Sequence, residues 1–329
     1  MPVSVTAVVV TFNRRHLVAE CLDALLAQTV AVDTIVVVDN GSTDGTADFL
    51  RDSGHLSRPG VRLERLTVNG GGAGGFARGV TVGRETHCDW LWLMDDDAAP
   101  EPAALATLLH SSAATDPRCV CLCPAVQSPD GEIQVTHRGH FRHRPRPLRG
   151  AAYASGEPVV LGFTSFVGPL VRADVARHIE PPLARFFIWC EDYEYSFRLR
   201  GHGDIVLEAA SVVVHRDVGQ RHTNRRSRFW NRLVRPLLGW ELVPSRLETF
   251  WRNLCGLRNF VWLRRRYEGD SALRSAGVIA QFILRSLMCD ERPLRRIPWI
   301  IRYGVSGRRG IFVNVDPDEW AARVRRGEA

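Results

Sequence analysis

The chain contains no lysine: all 43 of its basic residues are arginines. Every cation is therefore permanently charged and planar, which suits pairing with phosphate. The sequence also has little with which to build a zinc centre, because its eight cysteines show no zinc pair spacing. Cys119, Cys121 and Cys123 alternate as one face of a strand would. These thiols are predicted to be buried and free, as in a reducing compartment.

Segments that target or span membranes are also scarce. No basic region precedes the first apolar run, so no signal peptide is predicted. The most apolar later stretch, Ala276 to Leu284, is interrupted by Arg274 and Arg285 and is predicted to be too short to span a bilayer. With 45% hydrophobic and 24% charged residues, the composition is that of a globular, cytoplasmic protein.

Charge is distributed unevenly along the chain. Residues 221–329 contain 23 arginines and ten acidic residues, whereas residues 1–220 contain 20 arginines and 26 acidic residues. Beyond about Arg221, arginine and aromatic residues interleave on helical stretches. We therefore predict an α/β domain over residues 1–220 and a basic helical region over residues 221–329, each with its own partners.

Apolar strands alternate with amphipathic helices in the first hundred residues. The predicted strands Val3–Val10, Thr34–Val38, Val61–Val68 and Trp90–Met94 each end in polar or glycine residues. The third helix is predicted over Phe76–Glu85, and the later segment 137–149, rich in Arg, His and Pro, is predicted to be a loop. This alternation predicts a mostly parallel, Rossmann-like sheet with helices on both faces. Ligands of such sheets bind beyond the carboxyl ends of the strands. Four segments would meet at that edge: Thr11–Arg14, Asp39, Asn69–Gly75 and Asp95–Asp97.

Three adjacent carboxylates, Asp95, Asp96 and Asp97, follow the last of these strands directly. Carboxylates crowded at a strand end repel one another and are costly to desolvate, so they favour a divalent cation with hard oxygen ligands. The alternative is a solvated acidic turn that caps the next helix. We interpret the triplet as a metal site.

The glycine run 70–75 has the spacing of a dinucleotide-binding fingerprint. It follows the third strand instead of the first, which is the wrong context for a nicotinamide cofactor. Its glycines either let backbone amides approach a phosphate or sugar, or form a flexible turn. Asp39 is predicted either to bind a base or ribose or to cap a helix. Arg14 either pairs with a diphosphate or lies at the surface.

A second acidic group follows the aromatic segment 186–189. Glu191, Asp192 and Glu194 lie at the start of a predicted helix. A partly desolvated Asp192 is a candidate general base, although Glu191 and Glu194 are rivals and all three also suit a helix N-terminus. His215 ends the last predicted strand, where an imidazole either ligates a manganese-like ion or is structural.

Taken together, these residues and their order resemble the family 2 glycosyltransferases of the GT-A fold. The resemblance covers about residues 3–216 and rests on Thr11–Arg14, Val38–Ser42, Asp95–Asp97, Glu191–Asp192 and His215. Residues 71–76 and 92–97 are similar to segments of the actinobacterial galactofuranosyltransferases that begin cell-wall galactan. The resemblance implies UDP-galactofuranose as donor and a polyprenyl-diphosphate-linked rhamnosyl-GlcNAc as acceptor. It also implies an inverting displacement that needs one general base.

Residue roles follow from the same resemblance. It implies that Asp95, Asp97 and His215 bind Mn²⁺ or Mg²⁺, and that Asp192 takes the proton of the acceptor hydroxyl. It implies acceptor contact by Trp189, which equally suits a core position, and by Glu191. Glu194 replaces an aspartate usual in the wider family, so its role stays open. Asp39 would face the uracil, and the donor-binding residues would be Thr11, Phe12, Asn13, Arg14, Asp39, Asn69, Gly71, Gly72, Asp95 and Asp96.

The basic C-terminal region suits a lipid-linked acceptor. Apolar residues recur on helical spacing and are flanked by arginines, namely Phe250, Trp251, Leu254, Leu257, Val261 and Trp262. This pattern predicts an interfacial helix at the inner face of the cell membrane. A helix packed on the catalytic domain and an oligomer contact are the alternatives. The acidic front half argues against a nucleic-acid partner.

Three other functions fit parts of the sequence. A rhamnosyltransferase that uses dTDP-rhamnose would share the same frame, and no residue here separates uracil from thymine. A nicotinamide-dependent oxidoreductase would use the glycine run but leaves Asp95–Asp97 unexplained. A non-catalytic membrane-surface module would depend on the C-terminal region alone.

Overall fold

A computed structural model describes residues 3–216, 224–238 and 243–327 of the chain. The strands of this part are β1 (Val5–Thr11), β2 (Thr34–Asp39), β3 (Val61–Arg65), β4 (Trp90–Asp95), β5 (Ala98–Pro100), β6 (Cys119–Gln127), β7 (Arg138–Phe141), β8 (Pro145–Pro147), β9 (Val159–Leu161), β10 (Phe163–Thr164), β11 (Leu170–Arg172) and β12 (Asp204–His215). Its α-helices are α1 (Arg15–Leu26), α2 (Thr46–Asp52), α3 (Gly71–Arg84), α4 (Ala104–His110), α5 (Ala173–His178), α6 (Glu191–Arg200), α7 (Arg225–Leu238), α8 (Phe250–Glu268), α9 (Ala272–Cys289), α10 (Pro293–Arg309) and α11 (Pro317–Arg326).

The chain folds into two compact units. The first comprises Met1–Ala184 and Glu191–Val218, and the second comprises Arg185–Cys190 and Gly219–Ala329. The domain boundary predicted between residues 220 and 221 lies outside the described residues.

The first unit is built on a nine-stranded sheet. Its main order is β3-β2-β1-β4-β11-β6-β12-β5, and β9 also pairs with β12. The first four strands in this order are parallel, as are β6 and β12, whereas β11 runs antiparallel between β4 and β6. The predicted mostly parallel α/β sheet is confirmed.

Helices cover both faces of this sheet because its strands are apolar on both sides. Along β1, Val5, Ala7 and Val9 belong to one buried layer with residues of α1 and α4. Val8 and Val10 belong to the opposite layer with residues of α3, α5 and α6. A strand buried on both faces reads as a continuous apolar run, which is the pattern that β1, β2 and β4 show.

Two predictions about loops were wrong. The segment 137–149, predicted to be a loop from its Arg, His and Pro content, contributes β7 and β8 to a small antiparallel sheet with β10. Backbone pairing forms this sheet without an alternating apolar pattern that a sequence would reveal. The third helix begins within the glycine run, at Gly71, and not at the predicted Phe76.

The second unit is helical, and its core is built on α8. Phe250, Trp251, Leu254, Leu257 and Val261 are at most 7% exposed and pack with residues of α9, α10 and α11. The prediction that this helix lies at a membrane interface was therefore wrong, because its apolar face is already buried by the unit's own helices. α8 is instead a core helix of its own unit.

Side chains of α8 also hold the short segment 185–190 of the same unit. The Asn259 amide donates to the carbonyls of Phe186, Ile188 and Trp189 at 2.9–3.0 Å. The buried Arg258 guanidinium donates to the Phe186 carbonyl at 2.9 Å. Trp189 has a φ of +66°, which an L residue rarely adopts, so these hydrogen bonds maintain a costly backbone conformation.

Among the described residues, α9 is the one helix with the length and apolar composition to cross a membrane. It spans 18 residues, of which 22% are buried. The apolar stretch Ala276 to Leu284 lies inside this helix, which extends beyond the stretch at both ends. Length and composition alone are weak grounds for a spanning helix.

Candidate active site

The register of the parallel strands brings their polar ends together in the first unit. Thr11, at the end of β1, pairs with Asp39 at the end of β2. On the other side of β1, Val10 pairs with Asp95 at the end of β4. The residues that follow these strands therefore share one edge of the sheet, where ligands of open α/β sheets bind.

The acidic triplet is tied to the loop after β1. Thr11 Oγ1 donates to Asp96 Oδ2 at 2.7 Å. Arg14 Nη1 lies 3.3 Å from Asp96 Oδ1 and 2.8 Å from Asp97 Oδ2. The Arg14 side chain is 39% exposed, so its guanidinium pairs with the triplet while one side faces solvent. Arg14 thus belongs to the site and is not a separate surface arginine.

The three carboxyl groups have different proton affinities. Burial, followed by the charges of Asp97, Asp96 and Glu191, raises the pKa of Asp95 well above its ordinary value. Burial also raises the pKa of Asp96 to about 6, although Arg14 and Thr11 oppose the shift. Burial acts in the same direction on Asp97, but His215 and Arg14 outweigh it, and the pKa of Asp97 is lowered. Asp97 is therefore the member held most firmly as an anion.

A histidine pair lies beside Asp97. His215 Nε2 is 3.4 Å from Asp97 Oδ1, and His215 Nδ1 is 3.0 Å from Gln134 Oε1. The same amide oxygen is 2.9 Å from His137 Nε2. Because an amide oxygen only accepts hydrogen bonds, both imidazoles donate to it. With a proton also on Nε2, His215 donates to Asp97 and lowers the pKa of that carboxyl; as the neutral tautomer with its proton on Nδ1, it directs its Nε2 lone pair toward Asp97.

This arrangement fits a divalent cation. With His215 neutral, the imidazole lone pair and the carboxylate oxygen are two acceptors 3.4 Å apart, and Asp97 Oδ1 then has no hydrogen-bond donor among the described residues. A buried anionic oxygen without a donor is costly, and a cation or a proton between the two atoms removes that cost. A nitrogen ligand with carboxylate oxygens suits manganese-like ions. Gln134 would orient the histidine as outer-shell partners of metal ligands do.

Asp39 is fully buried at the neighbouring strand end. Its Oδ1 accepts a hydrogen bond from the backbone N–H of Ser42 at 2.8 Å. This hydrogen bond forms the capping turn that was the alternative prediction for Asp39. Its Oδ2 lies 3.5 Å from Arg65 Nε and accepts no hydrogen bond from the described residues. Asp39 therefore shapes the turn with one oxygen and keeps the other as a buried acceptor, so the two predicted roles are compatible.

Two asparagines fasten the loops around this edge. Asn13, in the left-handed region with φ of +55°, accepts a hydrogen bond from the Thr43 N–H at 2.8 Å. Asn40 donates to Asn69 Oδ1 at 3.1 Å and to the Gly71 carbonyl at 2.8 Å, and accepts from the Gly70 N–H. The loops after β1, β2 and β3 are thus cross-linked by side-chain amides.

The glycine run serves packing as well as the site. A Cβ at Gly75 or Gly79 would lie 2.3 Å from a methyl of Val10 or Val8, so only glycine lets α3 approach β1 this closely. Gly72 lies near the acidic group, because a Cβ there would be 3.3 Å from Glu191 Oε1. The flexible-turn interpretation was wrong, since residues 71–75 form the first turns of α3.

The acids at the start of α6 divide into distinct roles. Glu194 places both carboxylate oxygens against Arg198, at 2.9 and 2.6 Å, so it is part of a buried ion pair. Burial, then the charge of Asp192, raises the pKa of Glu191 to about 8. Burial raises the pKa of Asp192 to about 6, opposed by the Tyr193 N–H and by Arg138. The pKa of Glu191 thus lies above that of Asp192, and Asp192 stays the predicted base of the group.

The remaining predicted residues differ in position. Phe12 is 37% exposed, and Asn69 holds the Gly71 N–H at 2.8 Å. Trp189 belongs to the second unit, where one face of its ring contacts Gly256 of α8 and 44% of the residue is exposed. Trp189 is therefore packed on α8 and still partly exposed to solvent.

Sequence reasoning missed three polar residues near the site: Asn40, Gln134 and His137. Asn40 stood in the recognised Val38–Ser42 segment, yet its role depends on contacts 30 residues away. Gln134 and His137 lie in a polar stretch whose spacing carries no signal, because they contact His215 only through the folded chain.

Comparisons with known proteins agree with this geometry. The model of "Glycosyl transferase family 2" matches residues 6–177. The galactofuranosyltransferase GlfT1 of Mycolicibacterium smegmatis is 30% identical over 300 residues, which cover 79% of this chain and 95% of that protein. An N-acetylglucosaminyl-diphospho-decaprenol L-rhamnosyltransferase of Mycobacterium tuberculosis is 24% identical over 85% of this chain and 94% of its own length.

A solved structure shares the fold. GalNAc-T7, crystallised with UDP, GalNAc and Mn²⁺, aligns with a TM-score of 0.58 over 80% of this chain and 48% of its own length, at 16% identity. The polar strand ends, the acidic triplet and the family match over more than half of the chain lead to the same conclusion: this protein belongs to glycosyl transferase family 2, has the GT-A fold and is a hexosyltransferase.

Proposed function

We propose that this enzyme transfers galactofuranose from UDP-galactofuranose to a polyprenyl-diphosphate-linked rhamnosyl-GlcNAc acceptor, with inversion and with Mn²⁺ or Mg²⁺, during cell-wall galactan synthesis. The observation that carries the proposal is the paired arrangement of Asp97 and His215 beside Asp95 at the carboxyl edge of the sheet. The name of the relative, galactofuranosyltransferase GlfT1, supports galactofuranose as the transferred sugar.

The residues of the chain divide the proposed reaction between them. Asp95, Asp97 and His215 would hold the cation, which neutralises charge that builds on the departing diphosphate. Arg14 adds a fixed positive charge next to the triplet. Asp39 Oδ2, which accepts no hydrogen bond from the described residues, suits the N–H of a uracil ring.

Asp192 would act as the base. The acceptor oxygen attacks the anomeric carbon as the bond to the UDP oxygen breaks, and the acceptor proton passes to the Asp192 carboxylate. One displacement of this kind inverts the anomeric centre and needs no second carboxylate as nucleophile. Glu191, neutral near pH 7 and close to Gly72, would act as a hydrogen-bond donor to substrate.

A dTDP-rhamnose-dependent rhamnosyltransferase is the second candidate. Its support is the rhamnosyltransferase relative, which matches 85% of this chain. The first candidate is favoured because GlfT1 is more similar, at 30% identity. The oxidoreductase and the non-catalytic module are both wrong, because the chain is a glycosyltransferase whose glycine run forms a helix after the third strand.

The proposed place of action is the inner face of the cytoplasmic membrane, with the first unit as catalytic domain and the helical unit as the contact to acceptor or membrane. A lipid-linked acceptor is confined to a membrane surface, so a peripheral enzyme would meet it there. The proposal includes no nucleic-acid partner and leaves self-association as a prediction.

Calorimetric titration with UDP, dTDP and NAD, each with and without Mn²⁺, tests the proposal. We expect UDP to bind only with Mn²⁺, and Asp97→Ala to abolish that binding. Asp116→Ala, which removes an acid outside the site, is the matched control and should bind as the parent does. A preference for dTDP would replace the first candidate by the second, and UDP binding that is indifferent to both Mn²⁺ and Asp97→Ala would refute the metal site. With UDP bound, transfer from UDP-galactofuranose is the next assay.

A further inference from the structure

Two helices of the second unit carry apolar side chains on their outer faces. On α9, Leu273 is 82% exposed and Leu284 is 57% exposed. Ala276, Gly277 and Ala280 lie exposed between them, so the stripe follows the helical spacing i, i+3, i+4, i+7 and i+11. The opposite side of α9 is buried through Ser275, Val278, Ser286 and Cys289.

The next helix repeats the pattern. On α10, Leu294 is 73% exposed, Ile301 is 45% exposed and Val305 is 37% exposed, with the exposed Pro298 between them. Val305 and Ala276 line the same groove, of about 230 Å³, together with Ile279 and the arginines Arg308 and Arg309. The stripes of α9 and α10 therefore border one another.

The two helices are strongly basic. Neither α9 nor α10 contains an aspartate or a glutamate, whereas together they contain seven arginines: Arg274, Arg285, Arg295, Arg296, Arg302, Arg308 and Arg309. Arg296 is buried against Asp290 and does not contribute to the surface. Arg274, Arg295, Arg302 and Arg309 are exposed. Exposed aliphatic residues with arginines and no acids match the interface of an anionic bilayer, where apolar side chains enter the acyl boundary and cations meet lipid phosphate.

We propose that the outer faces of α9 and α10 form a lipid-contacting surface that seats the protein on an anionic membrane. The surface is peripheral, because one side of α9 is committed to the core of its unit. This assignment replaces the one predicted for α8. Its purpose rests on the proposed function, since a polyprenyl-linked acceptor is presented at such a membrane.

Flotation of the full chain with lipid vesicles tests the surface. We expect the protein to float with vesicles of phosphatidylcholine and phosphatidylglycerol, but not with phosphatidylcholine alone, and to be released by high salt or alkaline carbonate. The fourfold variant Leu273→Gln, Leu284→Gln, Leu294→Gln and Ile301→Gln should lower the bound fraction by about tenfold or more. Arg302→Gln with Arg309→Gln should reduce the dependence on phosphatidylglycerol.

The control changes exposed apolar residues of the first unit. Leu26→Gln with Val160→Gln, at 41% and 49% exposed, should float as the parent does. Metal-dependent UDP binding, measured on every variant, reports folding and tests the proposed function separately. If the protein floats with vesicles but does not bind UDP, the proposed UDP-dependent function is rejected and the proposed lipid-contacting surface is retained.

Four outcomes would overturn the surface. In the first two, the fourfold variant floats as well as the parent, or the control variant loses as much flotation as the fourfold variant. In the third, carbonate fails to release the parent protein from vesicles, which would make α9 a spanning helix. In the fourth, the fourfold substitution lowers the molecular mass measured by sedimentation without lipid, which would assign the face to a contact with a second copy of the chain.

Discussion

The replacement of Asp192 by asparagine tests whether this residue acts as the base, because it removes proton acceptance and keeps the size of the side chain. Asparagine keeps the size of the side chain but cannot take a proton, so the transfer rate is expected to fall by about 10²- to 10⁴-fold. UDP affinity should stay within about twofold, because the proposed contact of Asp192 is with the acceptor and not with the nucleotide. Single-turnover transfer and calorimetry measure the two quantities.

The same hypothesis predicts how strongly the transfer rate depends on pH. Burial raises the pKa of Asp192 from 3.8 to about 6, so the base is lost to protonation as the pH falls through about 6. At pH 5 about a tenth of the molecules would keep an unprotonated base, and the rate should fall about tenfold for each further unit. An aspartate with an ordinary pKa would hold its rate down to about pH 4.

Glu191→Gln is the matched control, because it changes the neighbouring acid. Burial and the charge of Asp192 raise the pKa of Glu191 to about 8, so it is neutral at pH 7 and glutamine imitates it. We expect a rate within about threefold of the parent at pH 7, and the loss of any decline that the parent shows above about pH 8. A parent rate that is flat from pH 5 to 7, or an Asp192→Asn variant that transfers sugar at the parent rate, would refute the assignment of the base.

Three further predictions address packing, the metal and the base pocket. Gly79→Val should destabilise the protein by about 1–3 kcal/mol in urea unfolding, because α3 and β1 leave no space for the side chain, whereas Gly74→Ala, whose Cβ would meet nothing within 4 Å, should not. Gln134→Leu should weaken Mn²⁺ binding by about 10- to 100-fold in calorimetry by releasing the orientation of His215, and an unchanged affinity would argue against that role. Asp39→Asn should lower UDP affinity by about tenfold with little effect on Mn²⁺, and equal losses of both would mean that the pocket has collapsed.

The front half of the fold could be predicted because its signal is local. Each of β1, β2 and β4 is a continuous apolar run that ends in polar residues, and parallel pairing then fixes where those ends meet. The prediction that Thr11, Asp39 and Asp95 converge needed only this rule. Their chemical roles remain predictions, since geometry brings them together without showing a substrate.

Other features depend on tertiary contacts that cannot be predicted from the sequence pattern. The aromatic face of α8 has the same helical spacing whether it meets lipid or protein, and only the presence of α9 and α10 decides between them. The glycine run 70–75 was open to interpretation as a flexible turn because glycine is a poor helix former, yet residues 71–75 begin α3, and Gly75 packs closely on β1. Gln134 became recognisable only through the two imidazoles that share its oxygen.

The amide cross-links between the strand-end loops limit how this enzyme can change its donor. Asn13 fixes the loop after β1 to the loop after β2, and Asn40 fixes that loop to the start of α3. An insertion in any one of these loops would break its hydrogen bonds to a neighbouring loop. Changes in loop length are therefore expected to damage the site, in evolution as in design. A library that aims at a new nucleotide sugar should keep these loops at constant length and vary side chains at this edge of the sheet, such as Phe12 and, at the end of β3, Arg65.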